Sequence, residues 1–135
     1  MVVHNLTHMR VDVKTYHKRE VVDITAKIER TTTGSGLLNV FFQHTTGALA
    51  ISDLDPGTDN DLLTALARLT PEGDWEHSHD PAHYPDHLWS TIIGASINIP
   101  YNSGKLALGK WQRVILIELD GPKLRSLLLT CLPTT

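Results

Sequence analysis

The stretch WQRVILIEL-DGP-K-LRSLLLTCL, Trp111 to Leu132, decides the fold class. Its first half, Trp111 to Leu119, is short, dense in branched apolar residues and the strongest strand signal in the chain. Asp120-Gly121-Pro122 is turn chemistry. Leu124 to Leu132 then reads as the returning antiparallel neighbour of the first strand. Val114 to Ile117 does not alternate, which implies a strand covered on both faces. In so small a domain, a subunit interface is one way to supply the second cover.

Working outward, the elements on either side are short. Met9, Val11 and Val13 alternate and suggest a strand exposed on one face. Asp23 is placed to cap a short helix carrying Ile24 and Ile28, although Thr31-Thr32-Thr33 favours an extended end. Gly34-Ser35-Gly36 breaks the chain. Leu37 to Gln43 reads as a buried strand and Ala48 to Asp53 as its hairpin partner, with His44-Thr45-Thr46 near the turn.

The clearest helix follows Asp55-Pro56, with Thr58 and Asp61 in capping-box spacing. Leu62, Leu63, Leu66 and Leu69 form its apolar stripe, and Pro71 stops it. Residues 72–85 form a polar loop long enough to suggest a functional role. Asp86 to Ile93 reads as a second helix ending at Gly94, Ser96 to Pro100 as a strand, and Asn102-Ser103-Gly104 as a turn. Short strands with two or three short helices make an α+β domain on mostly antiparallel sheet, one domain over residues 1–135.

Composition narrows the function. Net charge is −3 and the basic residues are scattered, which argues against a nucleic-acid partner. No apolar run approaches the ~18 residues of a membrane span, and no basic segment followed by an apolar core suggests secretion, so a cytoplasmic location is the default expectation. Cys131 is the single cysteine and lies in an apolar run, where a small buried hydrophobe is expected. No G-x-S-x-G elbow, phosphate loop or dinucleotide fingerprint is present.

The conspicuous feature is histidine, eight in all, four of them His77, His79, His83 and His87. Neutral imidazole is the commonest metal ligand, and three with a water make a typical catalytic zinc set. Pro85 argues against placing His83 and His87 on one helical turn. His44 ends an apolar strand beside two threonines, positioned either to hold site geometry or to satisfy a backbone group. Asp53 is a candidate magnesium ligand, whereas Asp59 and Asp61 belong to helix capping. Lys105, Lys110, Lys123 and Arg125 are on hand for a phosphate, with solvated strand edges the competing account. Trp111-Gln112 beside Gly109 reads first as an aromatic core anchor.

Taken in order, these motifs resemble the YjbQ-like family of small bacterial and archaeal proteins, often labelled secondary thiamine-phosphate synthases. The resemblance runs from Val21 to Leu132. It rests on Gln43-His44-Thr45-Thr46, Asp55-Pro56, Trp75-Glu76-His77, Pro85-Asp86-His87, Gly104 with Gly109-Lys110-Trp111-Gln112, and Asp120-Gly121-Pro122-Lys123. Three positions depart from the family pattern: Lys110 for a small hydroxyl residue, Ser52-Asp53 for Asn-Glu, and Lys123 for arginine.

The resemblance implies an α+β sandwich-like fold and a homotrimer. It implies His44, Asp53, His77 and His87 as catalytic residues, and Thr45, Trp111, Gln112 and Arg125 as substrate contacts. His44, His77 and His87 would converge on a divalent metal ion, zinc or magnesium, or on an anion. His79 and His83 rank second. The activity implied joins a pyrimidine methyl diphosphate to a thiazole phosphate, so the partner is a small phosphorylated metabolite. A metal-dependent hydrolase with a three-histidine site, and a trimeric anion-binding module without catalysis, are the alternatives.

Overall fold

Leu38, Val40 and Phe42 are buried while Leu37 and Phe41, at the alternate positions, are exposed, the period-two signature of a strand with one face on the core. The computed structural model describes residues 7–78 and 80–134, so His79 lies outside the described residues. In chain order the elements are β1 (Thr7–Lys14), β2 (Glu20–Asp23), α1 (Thr25–Glu29), β3 (Gly36–Phe42), β4 (Gly47–Ser52), α2 (Thr58–Leu69), a 3-10 turn (Pro81–His83), α3 (Tyr84–Ile93), β5 (Ser96–Asn102), β6 (Lys105–Leu106), β7 (Arg113–Glu118) and β8 (Leu124–Pro133). A five-stranded sheet has the order β1-β8-β3-β5-β6 and a three-stranded sheet the order β2-β7-β4. All pairings are antiparallel.

The two sheets face each other across the main core. Val13, Leu38, Val40, Phe42, Ile99, Leu127 and Leu129 from one meet Leu49, Val114 and Leu116 from the other. Helix α1 closes one side with Ile24 and Ile28. On the far side of the three-stranded sheet, Ile115, Ile117 and Leu119 pack under Leu62, Leu63 and Leu66 of α2 and Trp89 and Ile93 of α3. The layers therefore run sheet, sheet, helices. No helix among the described residues is long and apolar enough to cross a membrane.

This arrangement corrects both expected hairpins. β7 does not pair with β8: Leu116 sits opposite Val22 and Leu49, whereas Leu127 sits opposite Val11 and Phe42. β3 and β4 likewise belong to different sheets. Each pair is a corner, in which the chain crosses from one layer to the other. The two strands then bury side chains against each other instead of sharing backbone hydrogen bonds. The two-sided cover of β7 is real, but both covers come from the chain itself and no subunit interface is needed for it.

Local details differ from expectation for identifiable reasons. Gly57, at φ 91° in the left-handed region that favours glycine, precedes α2, and Thr58 lies inside the helix, so no capping box forms. Thr58 Oγ1 instead donates to Asp53 at 3.3 Å. Leu69, expected in the buried stripe, is 67% exposed. Thr31 and Thr32 end α1 by donating their hydroxyls to the carbonyls of Ile28 and Glu29, at 2.7 and 2.8 Å, rather than extending the chain. Asp23 does serve the start of α1, accepting from the Thr25 N–H at 3.0 Å. Helix α3 begins at Tyr84, with Pro85 in the first turn, where no helical N–H partner is lost. Trp111 is not a core anchor; it precedes β7 and is 64% exposed, with the Lys110 ammonium 4.8 Å from its ring centroid.

The corner between β7 and β8 is tightly packed. A side chain at Gly121 would meet the His17 carbonyl oxygen at 2.2 Å and Glu118 Cγ at 2.9 Å. Only glycine permits this approach, which holds Asp120 and Lys123 beside the loop at residues 15–20; the Gly121 N–H donates to the Lys18 carbonyl at 2.9 Å.

Candidate functional site

Both corners lie at one end of the sandwich, because Gly47, which starts β4, is registered opposite Glu118, which ends β7. A cavity of about 590 Å³ opens there. The first corner contributes Gln43, His44, Thr45 and Thr46 to its wall. His77 comes from the long loop, His83 from the 3-10 turn where it caps α3, His87 from the first turn of α3, and Lys123 and Arg125 from the second corner and β8.

His77, His83 and His87 are half-buried, and each offers a ligand nitrogen within 4.8 Å of the others. Their ring centroids are 4.7 Å apart for His77 and His87 and 5.0 Å for His83 and His87. Helical spacing explains the second pair: with Pro85 accommodated in the first turn, residues 83 and 87 fall one turn apart on the same face. Two of the rings are oriented from behind. The Thr45 carbonyl accepts from His87 Nδ1 at 2.8 Å, which leaves Nε2 of the neutral ring without a proton. The Asp120 carboxylate accepts from His83 Nε2 at 2.8 Å, with Asp86 at 3.3 Å. A carbonyl or carboxylate behind a histidine is the usual support for a metal ligand.

Asp86 is buried and also receives Arg19 at 2.7 Å and Lys18 at 3.5 Å. Asp120 receives Lys18 at 2.6 Å and Lys123 at 2.9 Å. Burial pushes the Asp120 carboxyl up, but hydrogen bonds from Lys18, Lys123 and His83 outweigh it and hold the group well below the usual carboxylate range.

Arg125 forms the floor. It is buried, pointing inward from β8, and pairs with Glu118, which is fully buried at the end of β7. Arg125 Nε donates to Glu118 Oε2 at 2.7 Å, and one Nη donates to Glu118 Oε1 and to the carbonyl and hydroxyl oxygens of Thr46, the latter two at 3.0 and 2.8 Å. Glu118 is fixed in turn by the Thr15 hydroxyl at 2.8 Å and the Asp120 N–H at 3.0 Å. Burial pushes its carboxyl up, yet the Arg125, Asp120 and Thr15 hydrogen bonds bring it below the ordinary value.

His44 packs its ring against Phe42 at 4.9 Å and accepts the Ser126 N–H on Nε2 at 3.1 Å. The neutral ring therefore carries its proton on Nδ1. Burial, then the Arg125 charge, push its pKa below the ordinary histidine range, against the opposing pull of Glu118.

Within one chain the structure thus brings His44, Thr45, His77, His87 and Arg125 to one cavity. Asp53, Trp111 and Gln112 lie at the other end of the three-stranded sheet, beyond the Ser52–Arg113 pair and one strand length, ~17 Å, from Gly47 and Glu118. There Asp53 accepts from the Asp55 N–H at 3.3 Å, and Gln112 Oε1 from the Gly109 N–H at 2.8 Å. His44 shares the cavity but is not one of the three clustered ligands; His83 is. In the sequence His83 ranks only second, because the family motifs single out His44, His77 and His87 and Pro85 argues against a turn shared with His87. Sequence reasoning passed over Glu118, whose signal was a lone carboxylate ending an otherwise apolar strand.

Comparison with known proteins agrees with this architecture. Residues 9–134 match the family model described as UPF0047 protein YjbQ-like. The chain is 37% identical over 126 residues to a UPF0047 protein from Archaeoglobus fulgidus, covering 92% of this chain and 100% of that one. It is 32% identical over 124 residues to the UPF0047 protein YugU of Bacillus subtilis, covering 86% and 92%. Among solved structures, a YbjQ-like protein of unknown function from Sulfolobus solfataricus superposes with a TM-score of 0.85 at 31% identity, over 96% of this chain and 99% of that one. A hypothetical protein from Aeropyrum pernix gives 0.84 at 37% identity, over 95% and 99%. With the match spanning nearly every described residue, the chain belongs to the UPF0047 (YjbQ-like) family.

Proposed function

We propose that the protein is a metal-dependent enzyme that hydrolyses a small phosphorylated metabolite, with the metal ion held by His77, His83 and His87. The observation that carries this reading is the three-imidazole cluster on one cavity wall, two of its rings oriented by Thr45 and Asp120. An all-nitrogen donor set suits zinc; magnesium prefers oxygen ligands. When bound, such an ion makes water acidic enough to attack near neutral pH. The chain's own part is to keep His87 and His83 in fixed tautomers and to turn the cation-bearing wall of Lys123 and Arg125 toward an anion. The exposed Leu37, Phe41 and Leu132 on the outer face of the five-stranded sheet offer a surface for the homotrimer that the family resemblance implies.

The test is metal content and turnover of protein purified without a polyhistidine tag. One zinc per chain, lost in His87→Ala together with metal-dependent release of phosphate from small phosphomonoesters, is expected. Wild-type protein that takes up no stoichiometric metal overturns the reading. A synthase-like transfer shows instead as pyrophosphate release when both a pyrimidine methyl diphosphate and a thiazole phosphate are supplied, and that outcome also overturns hydrolysis.

A further inference from the structure

Arg125 is 2% exposed, and a guanidinium so buried ordinarily has its donors satisfied by protein. Here they are not all spent. Nε and one Nη are committed to Glu118 and Thr46, whereas the other Nη makes no hydrogen bond among the described residues. No buried side-chain nitrogen or oxygen among those residues lacks a partner, so this Nη is not sealed in. Since Arg125 lines the cavity, the cavity is where that nitrogen opens.

Two more donors share the wall. His44 presents a ring whose Nδ1 carries the proton and has no hydrogen-bond partner among the described residues. Lys123 has given one bond to Asp120, leaving two of its three N–H groups. The carboxylates that balance these charges, Glu118 and Asp120, stand behind the wall and do not line the cavity. The lining therefore offers an incoming group donors and positive charge.

We infer that Arg125, His44 and Lys123 form a subsite for a tetrahedral phosphoryl group, on the cavity floor beside the histidine cluster. The way Arg125 is tethered distinguishes this from a carboxylate site. Glu118 occupies the fork made by Nε and one Nη, and Thr46 takes the remaining hydrogen of that Nη, so a flat carboxylate finds neither fork of the guanidinium free. The remaining Nη still offers its N–H groups from one nitrogen only, and a tetrahedral group sends its other oxygens to donors in other directions. The cavity, about 590 Å³, is in the size range of small-molecule sites and leaves room for an organic body attached to the phosphoryl group. As the anchor of a substrate this subsite rests on the hydrolase reading above; as an anion site it is built from residues that are not the proposed metal ligands.

The experiment is calorimetric titration of inorganic phosphate, with acetate as comparison, into chelator-treated, metal-free full-length protein. Phosphate should bind once per chain and acetate at least tenfold more weakly; loss of one charge-assisted contact should weaken phosphate by about tenfold or more. Lys123→Gln, at an exposed position, and His44→Gln, which keeps an acceptor for Ser126, should each show that loss while unfolding at near the wild-type temperature. Arg125→Lys, which keeps a cation against Glu118, should show the largest. The subsite is overturned if metal-free protein binds no phosphate, if acetate binds as well, or if all three variants bind like wild type. Phosphate binding that appears only after zinc is restored also overturns it, while leaving the metal reading standing. Phosphate binding by a protein that never takes up zinc does the reverse.

Discussion

Glu118 and Arg125 join the two sheets by a buried ion pair: Glu118 ends β7 in one layer, Arg125 lies near the start of β8 in the other, and Nε donates to Oε2 at 2.7 Å. The corner Leu119 to Lys123 connects these strands covalently, and the pair fixes the angle at which they part. Thr46, from the other corner, accepts from the same guanidinium. One side chain therefore braces both crossovers and, through them, the end of the molecule where the cavity opens.

Removing one partner should be far worse than replacing both. Glu118→Gln or Arg125→Met alone leaves an uncompensated buried charge and should cost about 3–5 kcal/mol, whereas the two changes together should cost much less than the sum of the singles. Urea unfolding of the four proteins in a double-mutant cycle measures the difference, and additive losses would show that the pair is not coupled.

Asp120 should matter for metal affinity without being a ligand in the cluster of three histidines. Its carboxylate orients His83 and is shared with Lys18 and Lys123. Asp120→Asn should weaken zinc binding by roughly 10–100-fold, read by competition with a chelator of known affinity. Unchanged affinity would mean that His83 needs no support.

Stability should fall as the solution is made acidic, and His44 should account for the first part. Its folded pKa is depressed, by burial first and by Arg125 second, so the unfolded chain takes up the proton more readily. The resulting stabilisation is present above the unfolded value of about 6.5 and is lost as pH drops through the folded one. His44→Gln should flatten the decline in unfolding free energy between pH 7.5 and pH 5.5, on the order of one pH unit either side of that value. Glu118, also depressed, adds its loss only below the ordinary glutamate value, about 4.3.

Leu116 and Ile115 are adjacent and face opposite ways, one into the sheet–sheet core and one under α2 and α3. Both are fully buried. Leu116→Ala and Ile115→Ala should each cost about 2–5 kcal/mol in chemical denaturation. A near-neutral Ile115→Ala would mean that the helices form a loose layer.

The sequence by itself determined where most elements lie and which of their residues turn inward. The alternation that turns Val11 and Val13 inward, the unbroken run Val114 to Ile117 and the spacing of Leu62, Leu63 and Leu66 in α2 each follow from residue type and period alone, whereas Met9 and Leu69, which share those patterns, stay exposed. It also marked the loop that carries the histidines. What only the tertiary structure decided is which surfaces meet. A short polar corner such as His44-Thr45-Thr46 or Asp120-Gly121-Pro122 serves equally to fold a strand back beside its predecessor or to carry it into the opposite layer. The apolar pattern is the same in both cases, because burial against a sheet and burial beside a strand draw on the same residues. The place of His83 among the three clustered imidazoles, where the sequence ranks it only second, and that of Glu118 stay hidden for a related reason. The role of each is set by partners distant in the chain, Asp120 for one and Arg125 and Thr15 for the other, and those partners are fixed only once the two corners stack at the same end of the sandwich.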